Sequence, residues 1–426
     1  MTTEVKVHIE SMAFKGYGVA RVDGKVLFIP YSVIGDKAWI KMIEKKKNYS
    51  IGKLIELIEP SPWRVNPPCP FFGQCGGCQW QHINDSIQIN LKKEILKEIL
   101  RRLGGLKETP PITIAPSPQP YGYRARIQLK AKGEAMGYYQ ERSHRIVDID
   151  HCPIAHPLVN QIISSLRKAA PSFFQMEEIE INVSPEQGKG ILILHPLSPH
   201  QGMKHLVKEF LQTHPHLKGI AVMGKKRLIL FGDPYLNFTI SLNQRREKNI
   251  LRLRTSPESF FQVNLEQNQA LIQKVLEFSD VNEGERVLDL YSGVGNFTLP
   301  LAIASQKIWG IEESLTALED ARFNAARNGI ENCNFIHGRV EDILKHWSGE
   351  RPDLILLDPP RTGCKKILDQ VVRLKPKKIV YVSCEPTTFS RDLRLFSEAR
   401  YHLQRLSLVD MFPQAYHMEV VGLLTH

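Results

Sequence analysis

Two rhythms of apolar residues divide the chain. Over residues 4–60 apolar and polar positions alternate, as in Val5-Lys6-Val7-His8-Ile9, Gly18-Val19-Ala20-Arg21-Val22, Lys25-Val26-Leu27-Phe28-Ile29, Ala38-Trp39-Ile40-Lys41-Met42 and Ile51-Gly52-Lys53-Leu54-Ile55. A period of two marks half-buried strands, and Asp23-Gly24 between two of these runs is a hairpin signal. Such spacing predicts a small closed β-barrel of about five strands, OB-like in kind. From about residue 255 the apolar runs lengthen and lose their alternation. Arg286-Val287-Leu288-Asp289-Leu290, Lys307-Ile308-Trp309-Gly310-Ile311, Asn334-Phe335-Ile336, Leu354-Ile355-Leu356-Leu357 and Lys378-Ile379-Val380-Tyr381-Val382 read as strands separated by helical stretches. That order predicts a Rossmann-like α/β domain, a parallel sheet with helices on both faces.

Between these halves the pattern is mixed. Ile87, Leu91, Ile95, Ile99 and Leu103 recur at helical spacing, with Asp85 as N-cap and Gly104-Gly105 as stop. The lysines and arginines of this helix are expected to face solvent or a nucleic acid. From 120 to about 250 strands and helices mix, with turns at Pro185-Glu186-Gln187-Gly188 and Gly232-Asp233-Pro234. The expected organisation is a barrel at 1–60, a mixed α+β central domain at 61–254 and an α/β domain at 255–426. The 86–104 helix is free to pack on the last of these.

Composition narrows the class. The 426 residues are 42% hydrophobic and 24% charged, which fits folded domains, and the net charge is +11. A globular chain this basic is suited to a polyanion, because lysine and arginine displace phosphate counterions. Lys45-Lys46-Lys47 lies in a loop or strand edge of the barrel, where it can meet RNA or block edge-to-edge pairing. No run of 18 apolar residues occurs and no secretion signal opens the chain, so the expected location is the cytoplasm.

Three motifs stand where apolar strands run out, the edge at which such sheets bind ligands. They are Asp289-Leu290-Tyr291-Ser292-Gly293-Val294-Gly295-Asn296, Asp358-Pro359-Pro360-Arg361 and Val382-Ser383-Cys384-Glu385-Pro386. The first is a glycine turn that lets a ligand approach the backbone. Glu312, at the end of the next strand, can accept from both hydroxyls of a ribose. The third glycine of a dinucleotide turn is missing, so the pattern fits S-adenosylmethionine better than nicotinamide. Cys384 precedes a helix that Pro386 can open, a position expected to lower its pKa. A thiolate beside a methyl donor suits one chemistry: addition to carbon-6 of a uracil, which makes carbon-5 nucleophilic. A base must then remove the carbon-5 proton, and Glu419, in a late strand that can return to the same edge, is the candidate.

Cys69-x5-Cys75-Gly76-Gly77-Cys78, with Cys152 in Asp150-His151-Cys152-Pro153, offers four thiolates for zinc or an iron–sulfur cluster. Three clustered cysteines and one distant one suit a cubane better than a zinc ribbon, and a fourth ligand suits a closed, structural cluster. Cys333 and Cys364 read as packing residues.

Together these motifs resemble the RNA uracil-5-methyltransferases, specifically the iron–sulfur 23S ribosomal RNA type, over nearly the whole chain. The resemblance implies an RNA-binding TRAM domain at the N-terminus and a four-iron, four-sulfur site at Cys69, Cys75, Cys78 and Cys152. It implies S-adenosylmethionine contacts from Gln262 in Phe260-Phe261-Gln262-Val263-Asn264, and from Tyr291, Asn296, Glu312 and Asp358. Cys384 would be the nucleophile and Glu419 the base. The implied partner is RNA, 23S rRNA before tRNA, with no membrane and no obligate protein partner, the chain acting as a monomer. Glu385 stands where the family more often has asparagine. A carboxylate there opposes thiol ionisation unless it faces solvent or caps the helix. Two other readings are an adenine amino-methyltransferase, from the loose likeness of Asp-Pro-Pro-Arg, and a non-catalytic RNA-binding protein.

Overall fold

The computed structural model describes residues 4–169, 176–197, 202–224, 228–243 and 248–426. Residues 4–59 form a six-stranded sheet in the order Glu4–His8, Lys37–Lys45, Tyr49–Glu59, Lys25–Ile29, Tyr17–Val22, Ser11–Ala13. Its own small core holds Val7, Ile9, Leu27, Ile29 and Ile40. The Asp23-Gly24 hairpin is present: both residues have positive φ, 49° and 74°, and Val22 pairs with Lys25. Lys45 closes its strand, and Lys46 sits in the following turn, paired with Glu44.

A seven-stranded sheet follows in the order Ile146–Asp148, Ala135–Tyr139, Arg126–Lys132, Met176–Ser184, Lys189–Pro196, Leu217–Met223, Leu228–Gly232. Neighbours are antiparallel except Lys189–Pro196 and Leu217–Met223, which run parallel. The helix Pro157–Lys168 packs on this sheet, and a two-stranded ribbon, Leu236–Asn243 with Lys248–Thr255, leads out of it.

The last sheet has eight strands: Cys333–His337, Lys307–Glu312, Arg286–Leu290, Leu354–Leu357, Lys378–Ser383, Glu419–Thr425, His402–Val409, Ile112–Ala115. The first five are parallel, as the buried apolar runs predict. Glu419–Thr425 inserts antiparallel to both its neighbours. Separate apolar clusters cover the two faces. The strand order reverses beside Arg286–Leu290, the place where open α/β sheets bind ligands.

Residues from the first third complete this sheet. Ile112–Ala115 pairs parallel with His402–Val409 at its edge. The helix Asp85–Arg102 packs on the helix Pro386–Glu398, burying Ile89, Ile95, Leu96, Ile99 and Leu100 in the same core as Phe389, Leu393 and Phe396. Its N-cap is Asn84 rather than Asp85; Asn84 Oδ1 accepts from Ser86 N at 3.0 Å. The buried face is rotated from the apolar stripe: Leu103 is 48% exposed, whereas Gln88 and Lys92 are buried. Lys92 therefore does not face solvent. Its ammonium bonds Asp410 at 2.7 Å and the Phe412 carbonyl at 2.9 Å, and burial lowers its pKa against the pull of Asp410.

Removing one member of a buried ion pair leaves the other uncompensated. Lys92→Ala should destabilise the protein by about 3–5 kcal/mol, and the paired replacement Lys92→Met with Asp410→Leu by clearly less. Denaturant midpoints of the two variants check this order.

Candidate active site

The glycine turn begins where Arg286–Leu290 ends. Tyr291, Gly293 and Gly295 have φ of 71°, 55° and 89°. A left-handed tyrosine is uncommon and is held in place here: the N–H groups of Tyr291 and Ser292 both donate to the Ile311 carbonyl at 3.0 Å. A Cβ on Gly295 would meet Leu299 at 3.0 Å. The turn opens onto a cavity of about 570 Å³ lined by Gln262, Tyr291, Asn296 and Asp358, with apolar walls from Phe261, Val294 and Phe297. Four of the five expected cofactor residues thus share one cavity. Glu312 is not among its lining. One oxygen of its carboxylate accepts from Gly293 N at 2.9 Å and the other from Ser314 N at 2.8 Å. Here it holds the turn and the start of the next helix.

Sequence reasoning missed the support of this cavity. Asp320, fully buried, accepts from Arg254, from Ser256 through N and Oγ, and from Ser259 Oγ. Asn324 bonds Arg254 and the Val294 carbonyl. These two side chains tie the segment leading to Gln262 to the glycine turn. Their signal was polar residues four apart on a helix, Leu315–Arg327, whose other buried positions are Ala and Leu.

Cys384 directly follows the strand Lys378–Ser383, and Ser383 pairs with Val420. The next antiparallel position sets Cys384 opposite Glu419, the first residue of its strand. Leu357 pairs with both Leu290 and Tyr381, so Asp358, one step on, stands between the glycine turn and Cys384. Glu385 caps the helix Pro386–Glu398: its Oε1 accepts from Thr387 N and Oγ1.

Burial, then the carboxyls of Glu419 and Asp358, push Cys384 up to about 12, with Arg361 pulling the other way. The lowered pKa expected from the helix terminus is thereby overturned, because dry surroundings and two acidic neighbours outweigh it. Glu419 is 3% exposed and raised well above the carboxylate range, by burial and then Asp358. Asp358 and Asp289 are each raised to about 7, again mainly by burial. This rim is a cluster of acidic groups whose ionisation burial opposes, with Arg361 acting the other way on Cys384 and Glu419.

Cys69, Cys75, Cys78 and Cys152 line a second cavity of about 590 Å³, together with Arg124, Arg361 and His417. Phe260, 61% exposed, borders both cavities. Asn160 Oδ1 accepts from Cys152 N at 2.9 Å, fixing the distant cysteine beside the other three. Cys364 is buried against Asp392 and Cys333 lies in an edge strand, neither near the four.

A family model described as tRNA (Uracil-5-)-methyltransferase matches residues 84–426. The chain belongs to this RNA uracil-5-methyltransferase family. Residues 5–63 match the TRAM domain of tRNA (uracil(54)-C(5))-methyltransferase. Among similar proteins, the 23S rRNA (uracil(1939)-C(5))-methyltransferase RlmD of Pectobacterium atrosepticum is 34% identical over 428 residues, 99% of this chain and 93% of that one. An RNA methyltransferase of Aquifex aeolicus is 34% identical over 428 residues, 99% and 98% of the two chains. The Pyrococcus abyssi tRNA (uracil-54, C5)-methyltransferase, solved with S-adenosyl-L-homocysteine, superposes with a TM-score of 0.76 at 26% identity, over 99% of each chain.

The uracil-5-methyltransferase carries out S-adenosylmethionine-dependent methylation of carbon-5 of uracil in RNA. This sets aside adenine amino-methylation and a non-catalytic role. Bound S-adenosylmethionine supplies the methyl group. The cavity fits it: Gln262 offers an amide, Asn296 lines the wall with its amide paired to Asn268, Asp358 offers a carboxyl suited to a cation, and the aromatic and aliphatic walls cover apolar surface.

A cationic ligand favours the ionised form of Asp358. With that carboxyl titrating at about 7 in the free protein, S-adenosylmethionine affinity should rise as pH rises through 7 and level off above it. The gain is at most about tenfold per pH unit for one linked proton. Titration calorimetry from pH 6 to pH 8 measures it, and Asp358→Asn should flatten the profile.

Proposed function

We propose that this enzyme methylates one uridine of 23S ribosomal RNA in the cytoplasm, acting as a monomer, with Cys384 as nucleophile and Glu419 as base. The observation that carries the roles is the register that sets these two residues opposite each other at the rim beside the cofactor cavity. Preference for ribosomal over transfer RNA rests on the higher identity to the Pectobacterium enzyme than to the Pyrococcus one. Reaching Cys384 requires the base to leave its stack, at about a few kcal/mol.

In this reading the Cys384 thiol loses its proton to solvent and the sulfur bonds carbon-6; the ring's electron pair moves to carbon-5, which takes the methyl group while the pair of the broken methyl–sulfur bond stays with the donor. Glu419 then accepts the carbon-5 proton. The freed C–H pair restores the C5=C6 double bond, and the C6–S bond breaks with its pair on sulfur. A carboxyl with a raised pKa is a stronger base once ionised, and positive charge in the adjoining cavity favours that ionisation.

The chain is read as three parts with boundaries near residues 60 and 254, the 85–102 helix serving the catalytic part. The six-stranded sheet is taken as an OB-like, RNA-binding barrel, supported by its separate core. The four cysteines are taken as ligands of a four-iron, four-sulfur cluster. Tetrahedral zinc at about 2.3 Å per thiolate needs sulfurs about 3.8 Å apart. Among the described residues no three of these sulfurs fall within 4.8 Å of one another. All four nevertheless face one cavity, which suits a wider inorganic core. Such a core would hold residues 69–78 against Cys152.

The test maps 5-methyluridine across total RNA with and without this protein; one ribosomal site should depend on it, and a transfer RNA site would redirect the reading. In vitro, Cys384→Ala should lower methyl transfer at least roughly 10³-fold. Transfer at the wild-type rate would exclude the covalent route.

A further inference from the structure

The loop 410–418, which joins the last two strands and delivers Glu419, is held from outside at every turn. Four consecutive carbonyls each accept from a different part of the chain. Met411 O accepts from Asn264 Nδ2 at 3.3 Å, Phe412 O from Lys92 Nζ at 2.9 Å and Pro413 O from Tyr123 OH at 3.0 Å. Gln414 O accepts from the backbone N–H groups of Gln79 and Trp80 at 3.1 and 3.0 Å. Gln79 and Trp80 directly follow Cys78.

Gln414 is the centre of this arrangement. It is 1% exposed and lies in the left-handed region, with φ of 66°. Its N–H donates to Gln88 Oε1 at 2.9 Å, and its own Oε1 accepts from Gln88 Nε2 at 3.0 Å. The same Gln88 Nε2 lies 3.2 and 2.9 Å from the Trp80 and Ile83 carbonyls, so its two hydrogens are shared among three acceptors. One buried glutamine therefore joins the helix Asp85–Arg102, the cysteine-bearing segment and the loop that ends in Glu419. Burying this loop requires donors for its carbonyls, which apolar side chains cannot provide. A reciprocal amide pair adds one fixed position, since a slip of a single residue breaks every bond.

We propose that Gln88 and Gln414 are positioning residues for removal of the carbon-5 proton. They fix the loop and hence the place of the Glu419 carboxylate, tying it to the segment that follows Cys78. The proposal rests on the reading of Glu419 as base. A displaced base leaves the earlier steps possible, since carbon–sulfur bond formation and methyl transfer need only Cys384 and the cofactor cavity. It slows the last one, in which Glu419 takes the proton, the C–H pair becomes the C5=C6 bond and sulfur leaves with its own pair. Methylated RNA then stays linked to the protein.

The experiment uses the full chain, protein-free RNA from cells lacking it, and methyl-labelled S-adenosylmethionine in a single turnover quenched by denaturant. Labelled RNA linked to protein is compared with labelled RNA released. Gln88→Ala should raise the linked share about tenfold over wild type, as a misplacement near 1 Å can cost rates of that order or more, while cofactor affinity stays within about twofold. Gln88→Glu keeps the acceptor for Gln414 N and should fall between. Gln414→Asn, which tolerates positive φ but is too short to reach Gln88, gives the same reading should Gln88→Ala not fold. Glu419→Gln is the reference. If it accumulates linked RNA and the glutamine variants release RNA at the wild-type rate, or lose linkage and release in proportion, the positioning role is overturned. If Glu419→Gln accumulates none, the assignment of the base fails instead.

Discussion

The chemistry depends on one reversal of strand direction. Every other residue at this rim comes from the carboxyl end of a parallel strand, whereas Glu419 begins one. Because Glu419–Thr425 runs antiparallel to Lys378–Ser383, its first residue meets the end of its neighbour, and Val420 opposite Ser383 sets Glu419 opposite Cys384. A parallel insertion would place Glu419 at the far end of the sheet, roughly 20 Å away at about 3.3 Å per residue. A slip of one residue would turn its carboxyl to the other face. The register is fixed by apolar residues on both faces, Val420 and Leu424 toward one core and Val421 and Leu423 toward the other.

The same rim concentrates acid in a dry place. Burial raises all four groups first; Glu312 then adds to Asp289, Asp289 to Asp358, Asp358 to Glu419, and Glu419 and Asp358 to the Cys384 thiol. Arg361 acts the other way on both Cys384 and Glu419, and it is exposed on the turn after Asp358. Positive charge brought near these carboxyls favours their ionised forms. The helix terminus expected to favour the Cys384 thiolate is occupied by Glu385 as its cap. The family's usual neutral residue there is thus replaced by a carboxylate with a local structural task.

The parallel strands were legible because each is a short apolar run buried on both faces, and the site was legible because its motifs end those runs. The cysteine set was legible from spacing, and the structure brings all four to one cavity. What escaped was polar and distant. Gln88 and Lys92 look like surface residues of an amphipathic helix, and only partners 326 and 318 positions away make them interior. Apolar periodicity therefore placed the helix's inner face one step off. Ile112–Ala115 is too short to be read as a strand until His402–Val409 offers it an edge. Glu312 was correctly placed at the end of its strand, but no pattern could show that both its oxygens already serve backbone N–H groups.

The family match begins where these distant partners begin. The uracil-5-methyltransferase match starts at residue 84, and Asn84 is the N-cap of the helix that carries Gln88 and Lys92. A catalytic domain cut near residue 255 would lose an edge strand, a helix covering one face of its sheet, and the bonds to the carbonyls of Phe412, Pro413 and Gln414. Buried carbonyls without partners are costly, so such a fragment would rearrange its last hairpin to reach water. The hairpin ends in Glu419. The unit built around the eight-stranded sheet is thus discontinuous in sequence, and the central sheet with its cysteine cavity is inserted between the helix that holds the 410–418 loop and the strand that Glu419 begins.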